Sequence, residues 1–514
     1  MASSSRFPDI WSWIQNLPPI TQWNTDSMSL GIYSLKLTKA SLKFSITKNT
    51  QNHTPSVFFS IRVDYNTPIS LWISKSFKTN SQGPKILNEE TTCSLFCNFI
   101  NGVLNYGPTK NTTFLHIPPI DTISHFKEIF DLSVFSLILL ICIYEAPHNI
   151  RSECLTALEN YLTSSYSREI SKMLMRLLGS NIEEQWMRSL NLAITNWVVQ
   201  LKASKHSLRS IVPLFSYAIS TFELCKVQLY CPMVAMDIET SSESSPQDRL
   251  KLSLRYHQLE GVIQFAYNVI PQEEYINVVM KVDNIRCDVI RLVTKTLMAK
   301  RGAGEIEKHF PSRISLQLTP AFQTNVVSVS VGRSSENPIR DIGTGMSIDA
   351  AFTTPTSMGL TVSASETTTM SLKPWKFEQS VYGYSANLNW YLHNLDGREV
   401  VSSKPPKTAF CCPRASWFKD RYSKAYRPFT RQGGVIFAKD EYGDGVVWKV
   451  DKGEMGKTME WELKGWIWLT YWPNKLRTFH NETRRPEDVS IIRSKERVYE
   501  DINIIKIPGE FPTQ

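Results

Sequence analysis

The chain has 514 residues, 42% of them hydrophobic and 11% aromatic, which is enough apolar material for a large core and too much for a disordered, collagen-like or small disulfide-stapled protein. At about 100 to 200 residues per domain, this length holds two to four domains or one large composite. Lys plus Arg number 57 against 48 Asp plus Glu, a net +9, an excess that permits an acidic partner without requiring one.

The opening Met1 to Trp13 carries one early cation, Arg6, and no apolar h-region, so no secretory signal is expected; Ser3 to Arg6 leaves a short organellar presequence open. Nine cysteines, odd in number and mostly inside apolar stretches, read as small buried residues of a reducing compartment. A cytoplasmic or nuclear setting follows as the expectation.

Residues 1–83 alternate as strands do. Leu42, Phe44 and Ile46 sit between Lys43, Ser45 and Thr47, and Phe59, Ile61 and Val63 between Ser60, Arg62 and Asp64, which predicts an N-terminal antiparallel sheet. From 84 to 239 the pattern is mainly helical. Leu132 to Tyr144 is thirteen uncharged residues, against about 20 for a membrane span, and reads as a buried core helix. Gly179 is placed as a helix stop and Asn181 as the next N-cap, supported by Glu184. Ile182, Trp186, Leu190, Ile194, Trp197 and Leu201 then recur at helical spacing as one apolar face.

Thr240 to Asp248 is polar and serine-rich, so 240–250 reads as a linker or exposed loop. Beyond it, 251–480 is nearly all strand. Ile263, Phe265, Tyr267 and Val269 alternate with polar or small residues, and Pro271 to Glu274 turns the chain into Ile276, Val278, Met280 and Val282. Further runs are Ile314 to Leu318, Val327 to Val331, Leu360 to Ala364, Tyr384 to Leu392 before an Asp396-Gly397 turn, Gly434 to Phe437, Val446 to Val450 and Thr458 to Trp472. Residues 481–514 read as a tail. The fold expected is α+β: an N-terminal antiparallel sheet, a helical middle layer and a large C-terminal antiparallel β-sandwich.

Familiar chemistry is missing. A P-loop needs glycine, four residues, then Gly-Lys-Ser/Thr; ahead of Gly456-Lys457-Thr458 the required position is Asp451, and the stretch reads as a hairpin turn. Neither Gly302 and Gly304 nor Gly343 and Gly345 completes a dinucleotide fingerprint, because Glu307 and Ile348 occupy the third position. Gly-x-Ser-x-Gly is absent. Cys93 and Cys97 are one helical turn apart with no second ligand pair nearby, and Asp440, Glu441 and Asp444 are too sparse for an EF-hand. The junction at Gly179 has helix-turn-helix spacing, but Glu183 and Glu184 stand where phosphate would meet a recognition helix, so an αα-hairpin is expected. Trp448, Trp461, Trp466, Trp468 and Trp472 fit a strand-face core better than a ligand cleft. No catalytic, cofactor or metal residue is assigned.

Charge concentrates in one place. Lys404, Lys407, Arg414, Lys419, Arg421, Lys424, Arg427 and Arg431 face Asp420 alone, so this segment holds +7 of the chain's +9. Phe410, Trp417, Phe418, Tyr422, Tyr426 and Phe429 are interleaved with the cations. Such a mixture serves an acidic protein partner, single-stranded nucleic acid or an anionic membrane surface, or simply a long loop with inward aromatics and solvated cations.

Phe310 to Pro320, Leu372 to Trp390, Trp417 to Gly434 and the opening Ser5 to Trp13 resemble an uncharacterised family of land-plant proteins along most of the chain. Some of its members carry the label erythronate-4-phosphate dehydrogenase-like. Since the dinucleotide loop is lacking here, the resemblance implies a plant source and a soluble intracellular setting, with neither activity nor site. The expected function is a non-enzymatic interaction protein using the Lys404 to Arg431 segment. Its alternatives are a nucleic-acid or anionic-lipid binder with the same surface, and an enzyme whose site is assembled from distant residues.

Overall fold

The computed structural model describes residues 7–34, 40–49, 55–64, 67–79, 86–108, 115–162, 164–203, 217–221, 223–232, 256–294, 296, 308–334, 375–393, 434–438, 445–472, 492–494 and 500–506. Thr240 to Asp248, Leu360 to Ala364, the Asp396-Gly397 turn, Lys404 to Arg431, and Asp440, Glu441 and Asp444 lie outside the described residues.

A short helix, α1 (Ile10–Gln15), precedes β1 (Ser27–Ser34), β2 (Ser41–Asn49), β3 (Ser56–Asp64), β4 (Ile69–Ile73) and β5 (Phe77–Lys78). These form an antiparallel sheet in the order β1-β2-β3-β4, with β5 on β3. The expected alternation holds: Leu42, Phe44, Ile46, Phe59, Ile61 and Val63 are all buried. Register sets Phe44 against Ile61 and Ile46 against Phe59.

Five helices follow, of which α2 packs on this sheet: α2 (Glu89–Asn105), α3 (Phe126–Tyr144), α4 (His148–Leu162), α5 (Ser165–Leu178) and α6 (Ser180–Ala203). The Asn88 side chain accepts the Thr91 N–H, and Glu89 and Glu90 fill the first turn of α2, an arrangement that suits the positive end of a helix. Phe99 of α2 lies on Phe44 and Trp72 of the sheet, at 6.0 and 5.5 Å between ring centres. Helix α3 is the predicted core helix, buried without interruption from Ile129 to Ile143 and flanked by α2, α4, α5 and α6. No helix among the described residues is long and apolar enough to cross a membrane. Gly179 ends α5 at φ +74°, a conformation that favours glycine. Because α6 starts at Ser180 and Glu183 N–H bonds to Gly179 O, Gly179 also takes the capping place expected for Asn181. Gly179 alone separates α5 from α6.

The rest is a two-layer antiparallel sandwich. Its strands are β6 (Tyr217–Thr221), β7 (Leu224–Pro232), β8 (His257–Pro271), β9 (Tyr275–Arg291), β10 (Lys308–Pro320), β11 (Val326–Val331), β12 (Trp375–Tyr382), β13 (Ser385–Leu392), β14 (Gly434–Ala438), β15 (Val446–Asp451), β16 (Thr458–Trp472), β17 (Ile492–Ser494) and β18 (Glu500–Lys506). One layer runs β11-β15-β9-β8-β7-β6 with β14 on β9; the other runs β12-β13-β10-β16-β17 with β18 on β16. Trp375, Trp390, Trp448 and Trp461 are buried in a second core between the layers, separate from the helical one.

Three features differ from the sequence reading. Strands β6 and β7 lie in a stretch read as mainly helical; Cys225, Val227, Leu229 and Cys231 alternate into the sandwich core, a period-2 signal that neighbouring helices masked. Strands β17 and β18 come from the stretch read as a tail and pair with β16. The Gly453-containing turn is no hairpin, because it carries the chain from β15 in one layer to β16 in the other. Asp451 caps it by accepting the Gly453 N–H at 2.6 Å.

Candidate functional site

The two cores meet at a polar seam between α6 and the outer face of β7 and β8. Strand pairing opposes Tyr230 to Glu260. Alternation then sends Gln228, Tyr230, Gln258 and Glu260 to one face, while Glu184, Arg188, Asn191 and Thr195 share a stripe of α6 at i+3 and i+4 spacing. Arg188 grips Glu260 with two parallel bonds, Nε to Oε1 at 2.7 Å and Nη2 to Oε2 at 2.9 Å. It also donates to Glu184 at 3.2 Å. Asn191 Nδ2 donates to Tyr230 O and to Gln258 Oε1 at 3.2 and 2.7 Å, and the Tyr230 hydroxyl donates to Glu183 Oε1 at 3.0 Å.

The electrostatics follow from burial and pairing. Burial pushes the Glu260 carboxyl above its ordinary value, with Arg188 working against that rise. Hydrogen bonding to Glu260 pushes the Arg188 guanidinium up. Asn191 Oδ1, Thr195 Oγ1 and Gln228 Oε1 are buried without a hydrogen-bond partner among the described residues. The carboxylates and the guanidinium are committed to one another, and the seam acts as adhesion between layers. Sequence reasoning missed Arg188 with Glu260, which lie 72 positions apart. The only local signal was Glu184 four residues before Arg188.

A second polar cluster ties α1 to α3. Asp9 caps α1 by accepting the Ser12 N–H and pairs with Lys127. Asp131, 7% exposed, accepts the Trp11 N–H at 2.8 Å. Burial raises its carboxyl to about 7, opposed by the Trp11 bond.

Other candidates resolve into structure. Cys93 and Cys97 are half-buried on α2 and burial raises both thiols, the opposite of an activated nucleophile. Cys142 and Cys154 are buried with sulfurs 3.5 Å apart. Trp448 and Trp461 pack edge to face at 5.9 Å as core residues. No three His, Cys, Asp or Glu side chains among the described residues could hold a metal ion. All the predicted partner-binding residues, Lys404, Lys407, Arg414, Trp417, Lys419, Arg421, Tyr422, Lys424, Tyr426, Arg427 and Arg431, lie outside the described residues. What is described is where the chain leaves and returns: β13 in one layer, β14 in the other.

No family model matches the chain, and no curated protein matches it. Among solved structures, Clostridium perfringens delta-toxin is similar over 50% of this chain and 87% of its own, at 10% identity and a TM-score of 0.16. The Clostridium perfringens NetB toxin in the membrane inserted form is similar over 49% and 87%, also at 10% identity and 0.16. Similarity of that size carries no argument about this chain.

Proposed function

We propose that this protein is a non-enzymatic binding protein that meets an acidic protein surface with the segment Lys404 to Arg431. The observation that carries the reading is charge concentration: +7 of the chain's +9 in one stretch, interleaved with six aromatic residues. Arg and aromatic side chains are the anchors that protein interfaces favour. The sandwich interior is taken up by Trp390, Trp448 and Trp461, which supports recognition by the surface. Cys93, Cys97, Cys142, Cys154 and Cys287 form no disulfide with one another, in keeping with a cytoplasmic or nuclear setting.

The test is binding of the full chain to poly-L-glutamate, single-stranded RNA, single-stranded DNA and phosphatidylserine vesicles at about 50 and 200 mM salt, beside a Lys419→Glu, Arg421→Glu, Lys424→Glu, Arg427→Glu variant. Preferred binding to poly-L-glutamate, weakened by salt and lost in the variant, is the expected result. Preference for nucleic acid or vesicles replaces the acidic protein with that ligand, and no binding at low salt overturns the reading.

A further inference from the structure

One end of the sandwich exposes apolar and aromatic side chains that its core does not use. Tyr382 is 79% exposed, Phe322 64% and Val327 62%, with Val381 and Tyr384 also open to solvent. The strand register brings them together. Leu318 pairs with Ala386 and the Thr319 and Ser385 hydroxyls bond at 2.7 Å, so the chain leaving β10 towards Phe322 runs beside the Tyr382-to-Ser385 turn. Gly383, at φ +59°, holds the first turn position, which in a two-residue hairpin demands a positive φ. Val327 is turned outward by an irregularity between Val326 and Ser328 in the pairing with β15.

The tip is held in place by its neighbours. The Trp448 indole N–H donates to Tyr384 O at 3.0 Å, across from the other layer, and Ala321 N–H bonds to Glu460 O at 2.8 Å. These bonds hold the backbone of the tip, so its main chain loses little freedom on binding.

Two observations select the partner. No Asp, Glu, Lys or Arg occurs between Arg313 and Arg333, or between Glu378 and Asp396, while Gln323, Thr324, Asn325, Ser328 and Ser380 offer amides and hydroxyls. At about 200 Å² per aromatic side chain, the exposed fractions amount to on the order of 500 Å², the size of a functional patch. That falls below the roughly 800 Å² per partner of a stable protein interface.

We propose that the Phe322 loop and the Tyr382-Gly383-Tyr384 turn form a binding tip for a neutral glycan, with ring faces stacking on sugar C–H faces and the surrounding amides and hydroxyls bonding sugar hydroxyls. The proposal is independent of the basic segment and asks nothing of it. The experiment is native electrophoresis of the full chain through gels containing soluble starch, glucomannan or xyloglucan, at about 50 and 500 mM salt. Retardation by at least one of them is expected, unchanged by salt and weakened tenfold or more in Phe322→Ala and Tyr382→Ala. Tyr382→Trp, which keeps a ring, and Tyr166→Ala, an exposed ring on α5, are expected to keep it. Folding is checked by near-ultraviolet circular dichroism. No retardation in any gel, retardation that survives both alanine variants, or loss in Tyr382→Trp overturns the proposal. Binding to phosphatidylcholine vesicles in place of the polysaccharides also overturns it and assigns the tip to a neutral lipid surface.

Discussion

Replacing Asp131 by Asn tests the account of the α1–α3 contact. Asp131 has its carboxyl raised from 3.8 to about 7, chiefly by burial, with the Trp11 N–H its main compensation. Between those two values the folded state holds a proton that the unfolded state has released. Stability therefore falls as pH rises from about 4 to 7, and the whole loss is in place above 7. At about 1.4 kcal/mol per pH unit, the gap amounts to roughly 4 kcal/mol. Asn keeps an oxygen for the Trp11 N–H and never ionises. Urea unfolding followed by tryptophan fluorescence at pH 4.5, 6 and 8 should show wild type losing several kcal/mol relative to Asp131→Asn as pH rises. Any constant cost of the new amide cancels in that comparison. Parallel pH profiles for the two proteins would refute the reasoning.

Three more perturbations probe the frame. Arg188→Leu strands Glu260 at the seam and is expected to cost about 3 to 5 kcal/mol, whereas Arg188→Met with Glu260→Met recovers most of it; equilibrium unfolding of single and double variants reads this. At Gly445 a Cβ would stand 2.3 Å from Met280 O, so Gly445→Ala must shift β15 against β9, costing about 1 to 3 kcal/mol, seen as a lower melting temperature. Trp448→Phe keeps an aromatic ring but removes the indole N–H that holds Tyr384 O and part of a fully buried side chain. The expected loss is about 2 to 4 kcal/mol, with faster amide exchange at Gly383 and Tyr384.

Much of the architecture was legible in the chain because it rests on period. The alternations at Leu42 to Ile46 and Ile263 to Val269, and the uncharged run of α3, each name a buried face without reference to any other element. Gly179 marks a helix end through its own backbone freedom. The same signal failed at Cys225 to Cys231 because an interval of two over so few residues was outweighed by the helices before it. It failed at the Gly453 turn because a turn's residues do not say which layer the next strand joins.

What only the tertiary structure decided is which faces meet. Periodicity gives the direction of a side chain but no partner, so Arg188 could not be joined to Glu260, nor Asp131 to the backbone of α1. Their ionisation depends on water excluded by elements far along the chain. The exposed tip has the same origin: Phe322 and Tyr382 look like ordinary core aromatics in sequence, and lie in solvent because Phe322 follows the end of β10 and Tyr382 closes β12 at its turn. The basic segment is the converse case, since summed charge is a property of composition and needs no fold to be read.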